Sequence, residues 1–179
     1  MAALVDADVE KATGLAEEFS IPLATTSLAE AISKSSQDGV FDVAVPGGAV
    51  LDVLPLLPDG AAALIQKPMG RTLEEAEQIL AICSKKGLTV AVNFQLRYVP
   101  VMLAAKRVTN AALIGKLHDM EVIVCVDMPW DLWTFLAAAT RLEILYHSIH
   151  YVDLVRSWFG NPEPYHTRLR QLETRVYRD

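Results

Sequence analysis

Short apolar strands and helical segments alternate along the first ninety residues of this 179-residue chain. Residues 3–5, 41–45, 61–65 and 88–92 are the apolar strands, and helix signals lie between them. The clearest helix is 73–85, which Thr72 precedes as an N-cap and Gly87 follows as a stop. A parallel strand is reached only through a crossover connection, so this alternation predicts an α/β fold with a doubly wound parallel sheet.

The pattern changes near residue 93, and we place a domain boundary there. Residues 1–93 are predicted to form one domain, and residues 94–179 to belong to a second. The second part holds a predicted helix at 101–109, a long strand at 116–126, a helix at 145–159 and a strand at 165–176. Strands and helices in this order predict the start of an α+β open-sheet domain.

Charge and cysteine content limit the partners and the compartment. The net charge is −6 and there is no long basic run, which disfavours nucleic acid and anionic membranes as partners. Cys83 and Cys125 each lie alone in an apolar stretch, so we interpret both as buried thiols in a reducing compartment. No apolar stretch has the pattern of a transmembrane helix or a signal peptide, and we expect a cytoplasmic protein.

The tripeptide Gln66-Lys67-Pro68 lies between the predicted strand 61–65 and the predicted helix 73–85. Ligands of α/β sheets bind at the carboxyl ends of the strands, and Lys67 is at such an end. A lysine that loses water or sits beside another cation has a lowered pKa and can act as a proton carrier. The alternative is an ordinary surface lysine at a turn.

A second polar group lies on the predicted helix 145–159. Tyr146, His150 and Asp153 are four and three residues apart and would share one helix face, with His147 about 100° to one side. The alternative for His150 is a hydrogen-bonded histidine between helix and sheet. A zinc site built from His147, His150, Asp153 and His166 is disfavoured, because successive three-residue steps drift by about 60° around a helix. We therefore predict no metal.

The segments Gln66-Lys67-Pro68 and His150-x-x-Asp153 together resemble the Gfo/Idh/MocA family of NAD(P)-dependent oxidoreductases. The resemblance implies hydride transfer between a nicotinamide cofactor and an alcohol carbon of a sugar-like or polyol substrate. Two positions depart from the family pattern. Position 66 is Gln where Glu-Lys-Pro is usual, and Tyr146 stands where many members carry Asp.

The resemblance also assigns roles to individual residues. It implies Lys67, His150 and Tyr146 as catalytic residues, with His147 as another substitute for the missing Asp. It implies a cofactor site at Asp6, Pro46, Gln66, Lys67 and Pro68, and substrate contacts at Asn93, Arg97, His147 and Asp153. NAD is favoured over NADP, because the Asp6 carboxylate would repel the extra phosphate. Alternatively, Asp6 is only a helix N-cap or part of a solvated turn.

No Gly-x-Gly-x-x-Gly loop occurs in the 179 residues. The resemblance therefore implies an internal fragment that lacks the first βα unit and the C-terminal half of the second domain. In this fragment, residues 1–93 would be a partial dinucleotide-binding domain with a partial Rossmann-type sheet, and residues 94–179 a partial substrate and dimerisation domain. We expect the strand pair at the front of such a fragment to be separated from the later strands. We also expect cofactor binding to be weak or absent and the fragment alone to have no turnover. A non-catalytic relative that binds a ligand or partner is the alternative, favoured by Gln66 and Tyr146. A homo-oligomer through the second-domain sheet is a further expectation.

Overall fold

The computed structural model describes residues 1–34, 36, 38–125 and 143–161. The chain begins with two short strands, each followed by a helix. They are β1 (Leu4–Val5), α1 (Val9–Glu18), β2 (Ala24–Thr25) and α2 (Leu28–Lys34). The two strands pair in parallel, with Leu4 opposite Ala24 and Val5 opposite Thr25.

A second parallel sheet has three strands in the order β3–β4–β5. The strands are β3 (Val40–Val43), β4 (Ala62–Ile65) and β5 (Thr89–Val92). The first connection runs through a 3₁₀ turn (Gly47–Ala49), the short helix α3 (Val50–Val53) and a second 3₁₀ turn (Leu54–Leu56). The next connection is α4 (Leu73–Lys86). Pro55 cannot extend the α-helical hydrogen-bond ladder, which accounts for the shortness of α3.

The main hydrophobic core lies on one face of this three-stranded sheet. Val43 and Ile65 point into it from neighbouring strands, and Val50, Leu54 and Ile79 cover them from the connections. Side chains alternate between the two faces of a strand, so Asp42 and Leu64, which are paired in register, lie on the opposite face. Asp42 is exposed there, while Val43 is buried.

The predicted α/β fold with a partial Rossmann-type parallel sheet is confirmed. Both predicted helix signals around α4 are present, since the Thr72 hydroxyl accepts from the Glu75 N–H at 3.2 Å and Gly87 adopts a left-handed φ of 62°. The expected separation of the front strand pair is confirmed as well. Among the described residues, β1–β2 and β3–β4–β5 are two sheets with no strand pairing between them.

Three helical elements follow β5 in the described residues, together with a 3₁₀ turn. The 3₁₀ turn (Gln95–Tyr98) leads into α5 (Pro100–Asn110), and later a π-helical turn (Glu143–Ser148) leads into α6 (Ile149–Phe159). The helix predicted at 145–159 is thus partly wrong, because its first residues take the wider π register. Tyr146 and His147 lie in the π turn, so the regular α spacing assumed for them does not apply.

Two further sequence predictions need correction. Residues 116–125 of the predicted strand 116–126 form no strand in the described part of the chain, because they pair with no described neighbour. Cys83 is buried as expected, but Cys125 is exposed, since the strand that was expected to bury it is absent. The predicted strand 165–176 and His166 lie outside the described residues. No helix within the described ranges is long and apolar enough to span a membrane.

Candidate functional site

The carboxyl ends of β4 and β5 hold Gln66 and Asn93 side by side. The Gln66 N–H donates to the Val43 carbonyl at 3.1 Å, and the Asn93 N–H donates to the Ile65 carbonyl at 2.8 Å. Both residues therefore continue the parallel ladder one step beyond the last strand residue. Their side chains start from a fixed backbone, which is the arrangement that a precise binding site needs.

Two loops at this edge pack closely against each other. A Cβ atom on Gly47 would lie 3.2 Å from Cγ of Pro68, and one on Gly48 would lie 2.9 Å from the Arg71 guanidinium carbon. Pro68 follows a cis peptide bond and is buried, whereas Pro46 is exposed and begins the 3₁₀ turn. Arg71 is held in place by an ion pair with Glu75. The absence of side chains at 47 and 48 lets the two loops approach.

Lys67 reaches from this edge to the π turn. Its Nζ donates a hydrogen bond to the backbone carbonyl of Tyr146 at 2.6 Å and lies 5.9 Å from the centre of the Tyr146 ring. The side chain is half-buried, and this loss of water lowers the pKa of Lys67. Among the residues that the structure describes, no carboxylate forms an ion pair with it.

His150 lies on α6 within the electrostatic reach of Lys67. Burial, followed by the charges of Lys67 and His147, lowers the pKa of His150 against the opposing influence of Asp153. The imidazole is therefore neutral at pH 7. Its ring meets Phe94 edge-on, with the ring centres 6.3 Å apart. The Nδ1 atom is buried and has no hydrogen-bond partner among the described residues.

Arg97 and Asp153 form a two-pronged ion pair between the 3₁₀ turn after β5 and helix α6. The Arg97 guanidinium donates to both carboxylate oxygens of Asp153. Asp153 is only 5% exposed, and its carboxylate raises the pKa of Arg97. The pair fixes α6 against the segment that follows the sheet. In this structure each of the two residues is the other's hydrogen-bond partner. Their predicted contact with a substrate stays a prediction.

Asp6 lies at the end of β1, on the separate two-stranded sheet. Its Oδ1 accepts a hydrogen bond from the Asp8 N–H at 2.8 Å. Asp8 in turn caps α1 by accepting from the N–H groups of Glu10 and Lys11. Asp6 thus has the turn role that the sequence left open. The predicted contact with a ribose is untested.

The structure brings together Lys67, Tyr146 and His150, and separately Gln66 and Asn93. His147 lies half-buried in the π turn and influences His150 through its charge. Sequence reasoning missed Asp42, whose carboxylate accepts a hydrogen bond from Gln66. The period-two alternation of β3 places Asp42 on the uncovered face and was the available signal. In the described residues, no three His, Cys, Asp or Glu side chains converge as metal ligands would.

Comparison with known proteins matches residues 1–94 to the Gfo/Idh/MocA family, described as an oxidoreductase family with an NAD-binding Rossmann fold. D-apiose dehydrogenase of Paraburkholderia graminis is 28% identical over 97% of this chain and 46% of its own length. D-xylose 1-dehydrogenase (NADP(+)) 2 of Haloferax volcanii is 26% identical over 63% of this chain and 34% of its own length.

A solved structure shares the fold. It is an oxidoreductase from Agrobacterium radiobacter in complex with NAD+, L-tartaric acid and magnesium, with a TM-score of 0.70 and 21% identity. The match covers 89% of this chain and 47% of that one. The chain spans less than half the length of these relatives. By its matched residues and its fold, it belongs to the Gfo/Idh/MocA oxidoreductase family.

Proposed function

We propose that this chain carries the proton-transfer residues of an NAD(P)-dependent dehydrogenase for a sugar-like or polyol alcohol. The observation that supports this most is the environment of Lys67, a half-buried amine with a lowered pKa beside Tyr146 and a neutral His150. A lysine with a lowered pKa gives up its proton more readily and can then accept and return a proton. The names of the D-apiose and D-xylose dehydrogenases suggest the substrate class.

The proposed reaction oxidises a secondary or hemiacetal alcohol to a carbonyl group. A nicotinamide cofactor, when bound, would supply the acceptor for the hydride of the alcohol carbon. Lys67, in its neutral form, accepts the hydroxyl proton as the carbon–oxygen double bond forms. His150 is the proposed hydrogen-bond partner of the same oxygen. The Tyr146 hydroxyl stands in for the usual Asp as a hydrogen-bond partner.

The chemistry of the residues fits the two ends of a nicotinamide dinucleotide. Asp6 uses only its Oδ1 in the turn with Asp8, so its second oxygen can accept from a ribose hydroxyl. Pro46, Gln66 and Pro68 lie in the strand-end segments where the nicotinamide would lie. On this basis we propose NAD over NADP. Binding of the 179-residue chain is expected to be weak, because its sequence has no glycine loop for the pyrophosphate.

Asn93 and His147 are the proposed substrate contacts. Arg97 and Asp153 would act indirectly, because their ion pair orients the helix that carries His150. A positioning role of this kind is consistent with the burial of Asp153 and with the use of both its oxygens by Arg97.

A non-catalytic ligand-binding relative is the second candidate. It is favoured by the lack of an ionised partner for Lys67 among the described residues, since Tyr146 offers a backbone carbonyl there instead of a carboxylate. The two candidates differ in turnover. Saturable binding of NADH with no hydride transfer to or from any aldose or polyol would favour the second.

The first test is a titration of the chain with NADH, followed by nicotinamide fluorescence. Lys67→Met is compared with Lys85→Met, which changes an exposed lysine on α4. We expect weak saturable binding that Lys67→Met reduces and Lys85→Met leaves unchanged. Equal binding by both variants would contradict the site. Turnover is then assayed with D-apiose, D-xylose and a panel of polyols.

A second test needs no cofactor. Lysines are acetylated with a limiting amount of an amine-reactive acetyl donor between pH 7 and 10, and the extent at each site is measured by mass spectrometry. Only the neutral amine reacts, so the pH profile of each site reports its pKa. The modification of Lys67 should reach half its plateau at lower pH than that of Lys85. Coincident profiles would remove the lowered pKa of Lys67 and with it the basis for Lys67 as a proton carrier.

A further inference from the structure

Three polar side chains cross neighbouring strands of the three-stranded sheet and form an unbroken hydrogen-bond chain. Gln66 Nε2 donates to Asp42 Oδ1 at 2.8 Å, and Asn93 Nδ2 donates to Gln66 Oε1 at 3.0 Å. Asp42 lies on β3, Gln66 directly after β4 and Asn93 directly after β5. These three side chains lie on the sheet face opposite the hydrophobic core, because their neighbours Val43 and Ile65 point into the core.

The carboxylate at one end dictates the orientation of both amides. An ionised Asp only accepts hydrogen bonds, so the Gln66 amide must turn its NH₂ group towards Asp42. The Gln66 carbonyl oxygen then faces Asn93 and can only accept, so the Asn93 amide must turn its NH₂ group towards Gln66. This leaves the Asn93 Oδ1 as the outer acceptor. Among the described residues it accepts no hydrogen bond.

The same geometry explains the glutamine at position 66. A glutamate there would bring a second carboxylate to hydrogen-bond distance of Asp42, and two like charges in contact disfavour ionisation of both. Gln66 keeps the length of the side chain, removes the charge and supplies the donor that Asp42 needs.

We propose that Asp42 is a positioning residue that acts through Gln66 to fix Asn93 as a hydrogen-bond acceptor for the ligand. This proposal deepens the function proposed above and rests on it for the identity of the ligand. The group recognised is a hydrogen-bond donor, either a hydroxyl of the polyol or the amide NH₂ of the nicotinamide carboxamide. A ligand that presents only an acceptor at this point would face the oxygen of Asn93 and be disfavoured.

The orientation is tested without any ligand, from the side-chain amide signals in ¹H–¹⁵N NMR spectra. Asp42→Asn removes the charge at one end of the three hydrogen-bonded side chains. We expect the Asn93 signals to shift, although residue 42 does not contact Asn93. The double variant Asp42→Asn/Gln66→Glu moves the carboxylate one strand along. The carboxylate introduced at position 66 can then accept from both neighbours, so the Asn93 signals should return towards those of the wild type. Asn93 signals that ignore Asp42→Asn would overturn the proposal.

A matched stability series provides a second readout. Gln66→Glu alone should lower the urea midpoint at pH 7, and the loss should fade as the pH falls towards about 4, where one carboxyl takes up a proton. The double variant should lack this pH dependence. Gln95→Glu, at an exposed position on the 3₁₀ turn after β5, is the control for adding a charge. A pH dependence for Gln66→Glu that matches the control would count against the contact with Asp42.

Ligand binding separates the two donor sources. NADH is compared with the reduced acetylpyridine analogue, in which a methyl ketone replaces the carboxamide and offers no NH₂ group, and with xylitol. If Asn93 accepts from the carboxamide, Asp42→Asn weakens NADH binding by about three- to tenfold and leaves the analogue unchanged. If it accepts from the substrate, the loss appears with xylitol instead. Equal effects on NADH and the analogue, with none on xylitol, would refute the acceptor role.

Failure of the proposed dehydrogenase function would give a different experimental result. If neither NADH nor xylitol binds the wild-type chain, both the proposed function and the acceptor role fail. The NMR series still decides whether Asp42 orients Asn93, because it uses the chain without ligand.

Discussion

Removal of Arg97 should destabilise the chain more than removal of any comparable surface arginine. Arg97→Met keeps most of the aliphatic stem but leaves the Asp153 carboxylate, which is 5% exposed, without its guanidinium partner. Breaking a buried pair in this way typically costs about 3–5 kcal/mol. The Arg97 side chain is 39% exposed, so water can reach the vacated space. We therefore expect a cost of about 2–3 kcal/mol, at or below the lower limit of that range.

The assay is urea unfolding followed by tryptophan fluorescence, which includes Trp158 on the same helix as Asp153. With a urea m-value of about 2 kcal/mol per M, the expected loss lowers the midpoint by roughly 1–1.5 M. Arg107→Met on α5, at an exposed position, is the matched control and should cost less than about 0.5 kcal/mol.

A double-mutant cycle separates the ion pair from the other effects of each change. Asp153→Leu in the Arg97→Met background replaces the remaining charge by an apolar group, and should restore much of the lost free energy of unfolding. The coupling energy between the two sites is expected at about 1.5–3 kcal/mol. Strictly additive single changes, or an Arg97→Met midpoint equal to that of Arg107→Met, would refute the reasoning.

Three further predictions address the core, the loop and the histidine. Leu54→Ala, at a fully buried position, should cost about 2–5 kcal/mol in urea unfolding, whereas Leu56→Ala in the same 3₁₀ turn, at 63% exposure, should cost little. Gly70→Ala combines a φ of 83° with a Cβ only 2.9 Å from Cβ of Glu75, so it should cost more than Gly60→Ala, where φ is 76° and the space is open; the latter should cost about 1–2 kcal/mol. The pKa of His150 is lower in the folded chain than in the unfolded chain, so the unfolded state binds more protons just below pH 6.5. Urea midpoints should therefore fall as the pH drops through that region, and His150→Gln should flatten this dependence; an unchanged slope would remove His150 as its cause.

The sequence predicted those features that depend on local chemistry. Thr72 and Gly87 mark the ends of α4 because capping and a left-handed turn are decided within a few residues. The apolar segments of the β3–β4–β5 sheet were recognisable because each is bounded by turn residues. Lys67 could be located at a strand end for the same reason, and the structure confirms that position.

Features that depend on pairing were not predictable. The contact between Asp42 and Gln66 depends on the register of two strands, which no single-strand pattern contains. The π turn at Glu143–Ser148 differs from an α-helix by one hydrogen-bond step, and the apolar spacing of six residues cannot distinguish the two. Residues 116–125 have the composition of a strand, but a strand exists only when another strand pairs with it.

The division of the strands into two sheets has a consequence for how the chain opens. The β1–β2 sheet has two residues in each strand, whereas the β3–β4–β5 sheet carries the main apolar cluster. Structural units open separately when few contacts couple them, and each unit then has its own free energy of opening. Backbone amides of residues 1–34 should therefore exchange with deuterium well before those of β4, by local opening that leaves the three-stranded unit intact.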